Sequence, residues 1–115
     1  MMNIVTIEVS TPEKTRERLL SAFDGQEQGN YISFPDTGTL WKTFTPKRWQ
    51  IIQEMTGAGA MAIRELARRL ERDVRAVHSD VHALLKCGVL DKTSDGKIEF
   101  PYDAVHVDFM VMKAA

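Results

Sequence analysis

Two histidines four residues apart, His78 and His82, stand in the stretch "RDVRAVHSDVHALLKCGVL", together with Cys87, Arg72, Arg75 and Lys86. On a helix, residues i and i+4 share a face, so the two imidazoles have the spacing to share a metal ion. Two imidazoles alone seldom hold one. Zinc takes four ligands, and the only further donor nearby, Asp80, falls on a different face. A single cysteine permits neither an internal disulfide nor a cysteine-based zinc cage. Cys87 precedes Gly88 with no His-plus-acid arrangement on its surface, so a small buried thiol is expected there rather than a nucleophile. Asp80 is expected to pair with a nearby arginine. His106 has no identifiable partner. None of these residues forms a catalytic set, and no enzyme activity, cofactor or resident metal is expected.

What remains is cationic chemistry. On a wheel at about 100° per residue with Arg75 at zero, Val74, Val77, Val81, Leu84 and Leu85 occupy one arc of about 180–280°. That arc is the expected buried face. Arg75, Ser79, His82 and Lys86 fall opposite it, and His78 borders it. Asp80 lies near 140° (about 100° per residue), so the stripe holds no carboxylate. A helix fits the major groove of duplex DNA, where Arg pairs with a guanine edge and Ser or His donates or accepts. Arg75, Ser79, His82, Lys86 and His78 are therefore the candidate base-reading residues. Lys47, Arg48, Arg64, Arg68, Arg69, Arg72, Lys92 and Lys97 are the candidate phosphate contacts, which give affinity rather than discrimination. Against this, the arginines of "RELARRLERDVR" could form a plain solvated face, paired with Glu65 and Glu71.

The elements that must position these residues can be read from caps and periodicity. "MNIVTIEV" alternates β-branched residues and predicts a strand over 3–9. Ser10/Thr11 as cap and Pro12 in the first turn open a helix to about Phe23. "NYISF" is a short strand ending at Pro35, and "DTGTLWKTF" an irregular or short helical link. Thr45 as cap and Pro46 in the first turn open a helix whose inward stripe is Trp49, Ile52 and Met55, stopped at Gly57. "AGAMA" is extended. "IRELARRLE" places Ile63, Leu66, Ala67 and Leu70 at helical spacing. A turn at Glu71–Asp73 leads to a third helix over about Val74–Cys87, closed by Gly88. Two short β segments flank the hairpin signal Asp95-Gly96, and "PYDAVHVDFMVM" predicts a last strand. Trp41, Phe44 and Trp49 are expected in the core rather than around a ligand.

Bulk properties set the frame. The chain has 115 residues, 43% of them hydrophobic and 27% charged, enough for one compact domain. No apolar run approaches the length of a membrane helix and no secretory signal is visible, so a cytoplasmic protein is expected. The net charge of -1 is unevenly spread. Residues 1–41 hold three Lys/Arg against six acids, residues 42–92 ten against six, and residues 93–115 two against four. The middle segment is the basic one, and nucleic-acid binding depends on where charge sits.

Helix, short strand, helix, tight turn, helix, hairpin is the order of a winged helix-turn-helix. The run "TPKRWQIIQEM…IRELARRLERDVRAVHSDVHALLKCGVLDKTSDGKIEFPYD" resembles a family of small prokaryotic DNA-binding winged-helix proteins found in archaea and bacteria. The match spans residues 44–108, and its most specific parts are "TPKR", "RELAR", "RDV..VH.DV..L...G" and "PYD". The resemblance implies a dimeric DNA-binding transcriptional regulator, and some members are encoded beside toxins. One departure stands out: such domains often carry Ser or Thr at the N-cap of the second helix to touch a phosphate, whereas this chain has Met61-Ala62.

The expectation is thus an α+β protein in three parts. These are an N-terminal β-α-β extension over 1–43, a winged helix-turn-helix over 44–100, and a C-terminal strand over 101–115. The function expected is sequence-specific duplex-DNA binding with repression or other regulation of transcription, the recognition helix lying in the major groove. The partners expected are DNA and a second copy of the chain, with the extension and the strand "AVHVDFMVM" as candidate dimer surfaces, or as plain cover for the core. The alternatives are a winged helix binding an acidic protein, an antitoxin-like partner of a toxin protein, and a metal sensor built on His78 and His82.

Overall fold

The computed structural model describes residues 2–10, 12–23, 25 and 29–110. Thr11, half of the expected first cap, and residues 111–115, the end of the expected last strand, lie outside the described residues. The order of elements is β1 (Ile4–Val9), α1 (Pro12–Phe23), β2 (Asn30–Phe34), α2 (Thr37–Thr43), α3 (Pro46–Met55), α4 (Ile63–Leu70), α5 (Val74–Lys86), β3 (Asp91–Lys92), β4 (Ile98–Glu99) and β5 (Ala104–Asp108). The fold is α+β, and among the described residues no helix is long and apolar enough to cross a membrane.

The Thr45 cap acts as the sequence predicts. The Thr45 hydroxyl accepts from the Arg48 amide at the start of α3. The link after Pro35 is a true helix, because the Asp36 carboxylate accepts from the Thr39 amide at 2.6 Å and satisfies a free N–H of α2. That bond to the backbone holds the Asp36 carboxyl below its ordinary value. Gly88, at φ 85, closes α5 in the left-handed conformation that glycine adopts without strain. Glu71 takes a similar conformation, φ 53, at the end of α4, and its amide donates to the carbonyls of Ala67 and Arg68.

Two sheets result. β1 is the centre of a three-stranded parallel sheet of order β2-β1-β5, with Ile7 opposite Ile32 on one side and Val107 on the other. The last strand therefore joins the N-terminal β-α-β unit instead of standing apart. Its approach is fixed by Asn3, whose amide donates to the Asp103 carboxylate at 2.8 Å and whose side chain donates to the Pro101 carbonyl. β3 and β4 form the expected hairpin, and Met61 bridges antiparallel to Ile98 at its side.

Val5 and Ile7 project from β1 into the same core cluster as Phe34, Leu40, Phe44, Ile51, Ile52, Met55, Leu66, Val77, Val81, Leu84 and Phe100. The terminal segments thus cover the helical part's own core. On the opposite face of β1, Glu8 is buried, ion-paired with Arg18 of α1, and accepts from the Ser33 hydroxyl at 3.1 Å. Arg18 in turn lies over the Tyr31 ring at 3.8 Å. Placement of four apolar residues departs from expectation. Ile51, outside the predicted stripe, is fully buried, because α3 packs against α4 and α5 and shares one core cluster with Val5 and Ile7 of β1. Val74 is 39% exposed, being the first residue of α5. Trp41 is 57% exposed, its ring edge-on to Phe109 rather than in the core. Trp49 is only partly buried and lies edge-on to Phe44.

Candidate nucleic-acid interface

α4, the Glu71–Asp73 turn and α5 decide where the cationic residues point. Leu66 and Ala67 of α4 and Val77, Val81 and Leu84 of α5 are buried against one another and against α3. Ala67 is the small residue that lets the helices approach. Burial of this arc turns the opposite face of α5 outward. Arg75, His78, Ser79, His82 and Lys86 are all exposed, and no carboxylate stands among them. His78, expected at the edge of the core, is as open as the rest. Its ring lies parallel to that of His82, with centroids 6.4 Å apart and 5° between planes. Among the described residues no group of three or more His, Cys, Asp or Glu is placed to hold a metal ion.

The candidate phosphate contacts divide into three groups. Arg48 and Arg72 are drawn inward by Asp80: Arg48 Nε lies 3.2 Å from one carboxylate oxygen and an Arg72 terminal nitrogen 2.8 Å from the other. Arg72 also reaches the Lys47 carbonyl, and Arg48 the carbonyls of Lys42 and Thr43. Neither is a free surface cation, since both are ion-paired with Asp80. Partial burial alone would raise the Asp80 carboxyl, but the Arg72 and Arg48 guanidiniums outweigh it and hold it below its ordinary value.

Arg68 and Arg69 form the second group, both bonded to Glu65 at i,i+3 and i,i+4. Glu71, the other acid expected to pair here, instead ends α4 and forms no ion pair among the described residues. The hydrogen bond from Arg68, reinforced by Arg69, lowers the Glu65 carboxyl. These pairs are open to water, with the Arg68 side chain 74% exposed, so a competing anion can displace Glu65 at little cost.

Lys47, Arg64 and Lys92 make up the third group. They are exposed and form no ion pair among the described residues. Lys97 lies 3.9 Å from Asp95 on the hairpin. Asp91, Asp95 and Glu99 outnumber Lys92 and Lys97 there, so the hairpin is locally acidic and a weaker anion site than its lysines suggest.

Ala62, at the N-cap of α4, makes no side-chain cap hydrogen bond, as its lack of a hydroxyl dictates. Cys87 is exposed rather than buried, because it follows the last helical turn and is placed by the Gly88 turn instead of the helix's apolar arc. His106 is exposed on β5.

The model of the HVO_A0114 family matches residues 43–107, more than half of the chain and every residue of this surface. No curated protein and no solved structure matches the chain.

Proposed function

The chain belongs to the HVO_A0114 family, and we propose that it binds duplex DNA sequence-specifically and regulates transcription as a winged helix-turn-helix protein. In this reading α4, the Glu71–Asp73 turn and α5 are the helix-turn-helix, α5 is the recognition helix, and the β3–β4 hairpin with Met61 beside it is the wing. The observation that carries the proposal is the outer face of α5, where Arg75, His78, Ser79, His82 and Lys86 stand exposed without a carboxylate among them. Hydrogen-bonding groups on a rigid helix can meet base edges in the major groove, and exposed cations beside them supply affinity for phosphates.

Lys47 is well placed for a phosphate. Its carbonyl lies 3.4 Å from the Arg72 guanidinium, which holds the start of α3 beside the turn that leads into α5. Arg64 and Lys92 are the other candidate phosphate contacts that form no ion pair among the described residues. Arg68 and Arg69 join them when phosphate replaces Glu65. Repression follows physically if the bound site overlaps a promoter, since the protein then excludes polymerase.

The test is titration of the purified chain against duplexes from upstream of its own gene and against scrambled duplexes, across a salt series. Per bound protomer, log Kobs is expected to fall with log salt at a slope of about -3 with Lys47, Arg64 and Lys92 on phosphates, and about -4.5 once Arg68 and Arg69 join them. The upstream duplex is expected to be preferred. Absence of any duplex binding at low salt would falsify the proposal and favour an acidic protein as the partner of α5.

A further inference from the structure

We propose that the chain dimerises by pairing the outer edge of β5 antiparallel with β5 of a second copy, in a register centred on Val107. As the scaffold of a DNA-binding dimer this rests on the function proposed above; as a pairing of strands it rests on the sheet alone.

β5 is an edge strand in the order β2-β1-β5, and among the described residues its outer side pairs with no strand. Soluble proteins usually blunt such an edge with lysine, proline or a bulge. The sequence "AVHVD" has no lysine or proline, and it pairs with β1 in unbroken register from Ala104 to Asp108. Val107 lies in register with the fully buried Ile7, yet it is 42% exposed among the described residues. Trp41 and Met110 are exposed beside it, and Trp41, Val107, Ile7, Leu40, Phe44 and Trp49 line one apolar pocket of about 320 Å³.

Charge selects the register. In an antiparallel pair, residues directly opposite project from the same face and interact. Centring on Val107 sets His106 opposite the partner's Asp108, and Asp108 opposite the partner's His106. The two-fold axis makes both pairs at once. On the other face Val105 meets the partner's Phe109, and the two Val107 side chains meet on the axis. Centring one residue earlier would set imidazole against imidazole, and one residue later carboxylate against carboxylate. Asp108 is also in register with Glu8 on β1, so one carboxylate already flanks it and a donor on its open side is favoured.

The test is the mass of the full chain in solution without DNA, by sedimentation or light scattering over a range of micromolar concentrations. The native chain is expected to dimerise. His106→Asp sets carboxylate against carboxylate across the axis, and Asp108→Lys removes the acceptor that faces the imidazole; both positions are exposed, and each change should weaken self-association about tenfold. The double variant carrying both changes restores opposite charges in the same register and should recover the dimer. A native chain that stays monomeric overturns the proposal, and so does a dimer indifferent to both single changes. A monomer that still binds its duplex would sink the interface and spare the DNA-binding function. A dimer that binds no duplex would do the reverse.

Discussion

The Asp80 carboxylate on α5 lies 2.8 Å from the guanidinium of Arg72 in the turn before it. Arg48 of α3 holds the second oxygen, so one acid ties together the start of α3, the turn and the middle of α5. Side-chain exposures of 14% for Arg72 and 19% for Asp80 keep water from replacing the pair cheaply. The orientation of α5 relative to α3 is set here.

Removing that acid should loosen the helical part. Asp80→Ala leaves two half-buried guanidiniums without their carboxylate and is expected to cost on the order of 1–3 kcal/mol in urea unfolding at neutral pH. The effect has a pH signature. The folded-state carboxyl titrates below the unfolded value of about 3.9, so the ionised pair stabilises the fold above that value, and the contribution is lost as pH falls through the depressed one. Asp80→Asn should therefore differ from the native chain at neutral pH and converge with it in acid. A constant gap across the acid range would refute the ion-pair account.

On the outer face of α5, substitutions should separate discrimination from affinity. Arg75→Ala is expected to lose about 1–3 kcal/mol of preference for the cognate duplex, with nonspecific binding less affected. Lys47→Ala should weaken every duplex alike and reduce the salt slope by about 1. Competition titrations at several salt concentrations would check both, and equal behaviour of the two variants would count against α5 as the reading helix.

Glu65 restrains Arg68 and Arg69 at the surface. Glu65→Ala is expected to raise affinity for any duplex and steepen its salt dependence, because both guanidiniums become available to phosphate. Thermal unfolding should move little, the pairs being exposed. Unchanged DNA affinity would show that this side of α4 stays away from the duplex.

The two left-handed positions make opposite predictions. Glu71 at φ 53 carries a side chain where glycine is favoured, so Glu71→Gly should stabilise by up to about 1 kcal/mol. Gly88 at φ 85 has open space around an added Cβ, so Gly88→Ala should cost about 1 kcal/mol through backbone conformation alone. Chemical denaturation midpoints would measure both.

Local signals in the sequence were strong where caps and periodicity act over a few residues. Thr45 and Gly88 bounded α3 and α5, and the valines and leucines of α5 divided its faces well enough to expose Arg75, Ser79 and His82. Contacts between distant elements were not legible. Alternation identified β5 as a strand, but nothing local says that its neighbour is β1, about a hundred residues away, because strand pairing is chosen by the whole core. An arginine partner for Asp80 was foreseeable from its type. That it would be both Arg48 and Arg72, taking two candidate phosphate contacts out of solvent, required the packing of α3 on α5. Val74 and Cys87 misled for a simpler reason: a helical wheel has no ends, whereas a real helix runs past the core that covers it.

β1 receives β2 soon after both are made, but its other neighbour arrives only with Ala104–Asp108, after the whole helical part. Until then the central strand of the sheet has a bare edge, and Asn3 waits for an acceptor one hundred residues downstream. Closing so long a loop adds little to the entropy already spent on a shorter one, but it delays the final step of folding. During synthesis the growing chain therefore carries an apolar strand open to capture by the wrong partner, and the whole helical part is made before the sheet can be finished.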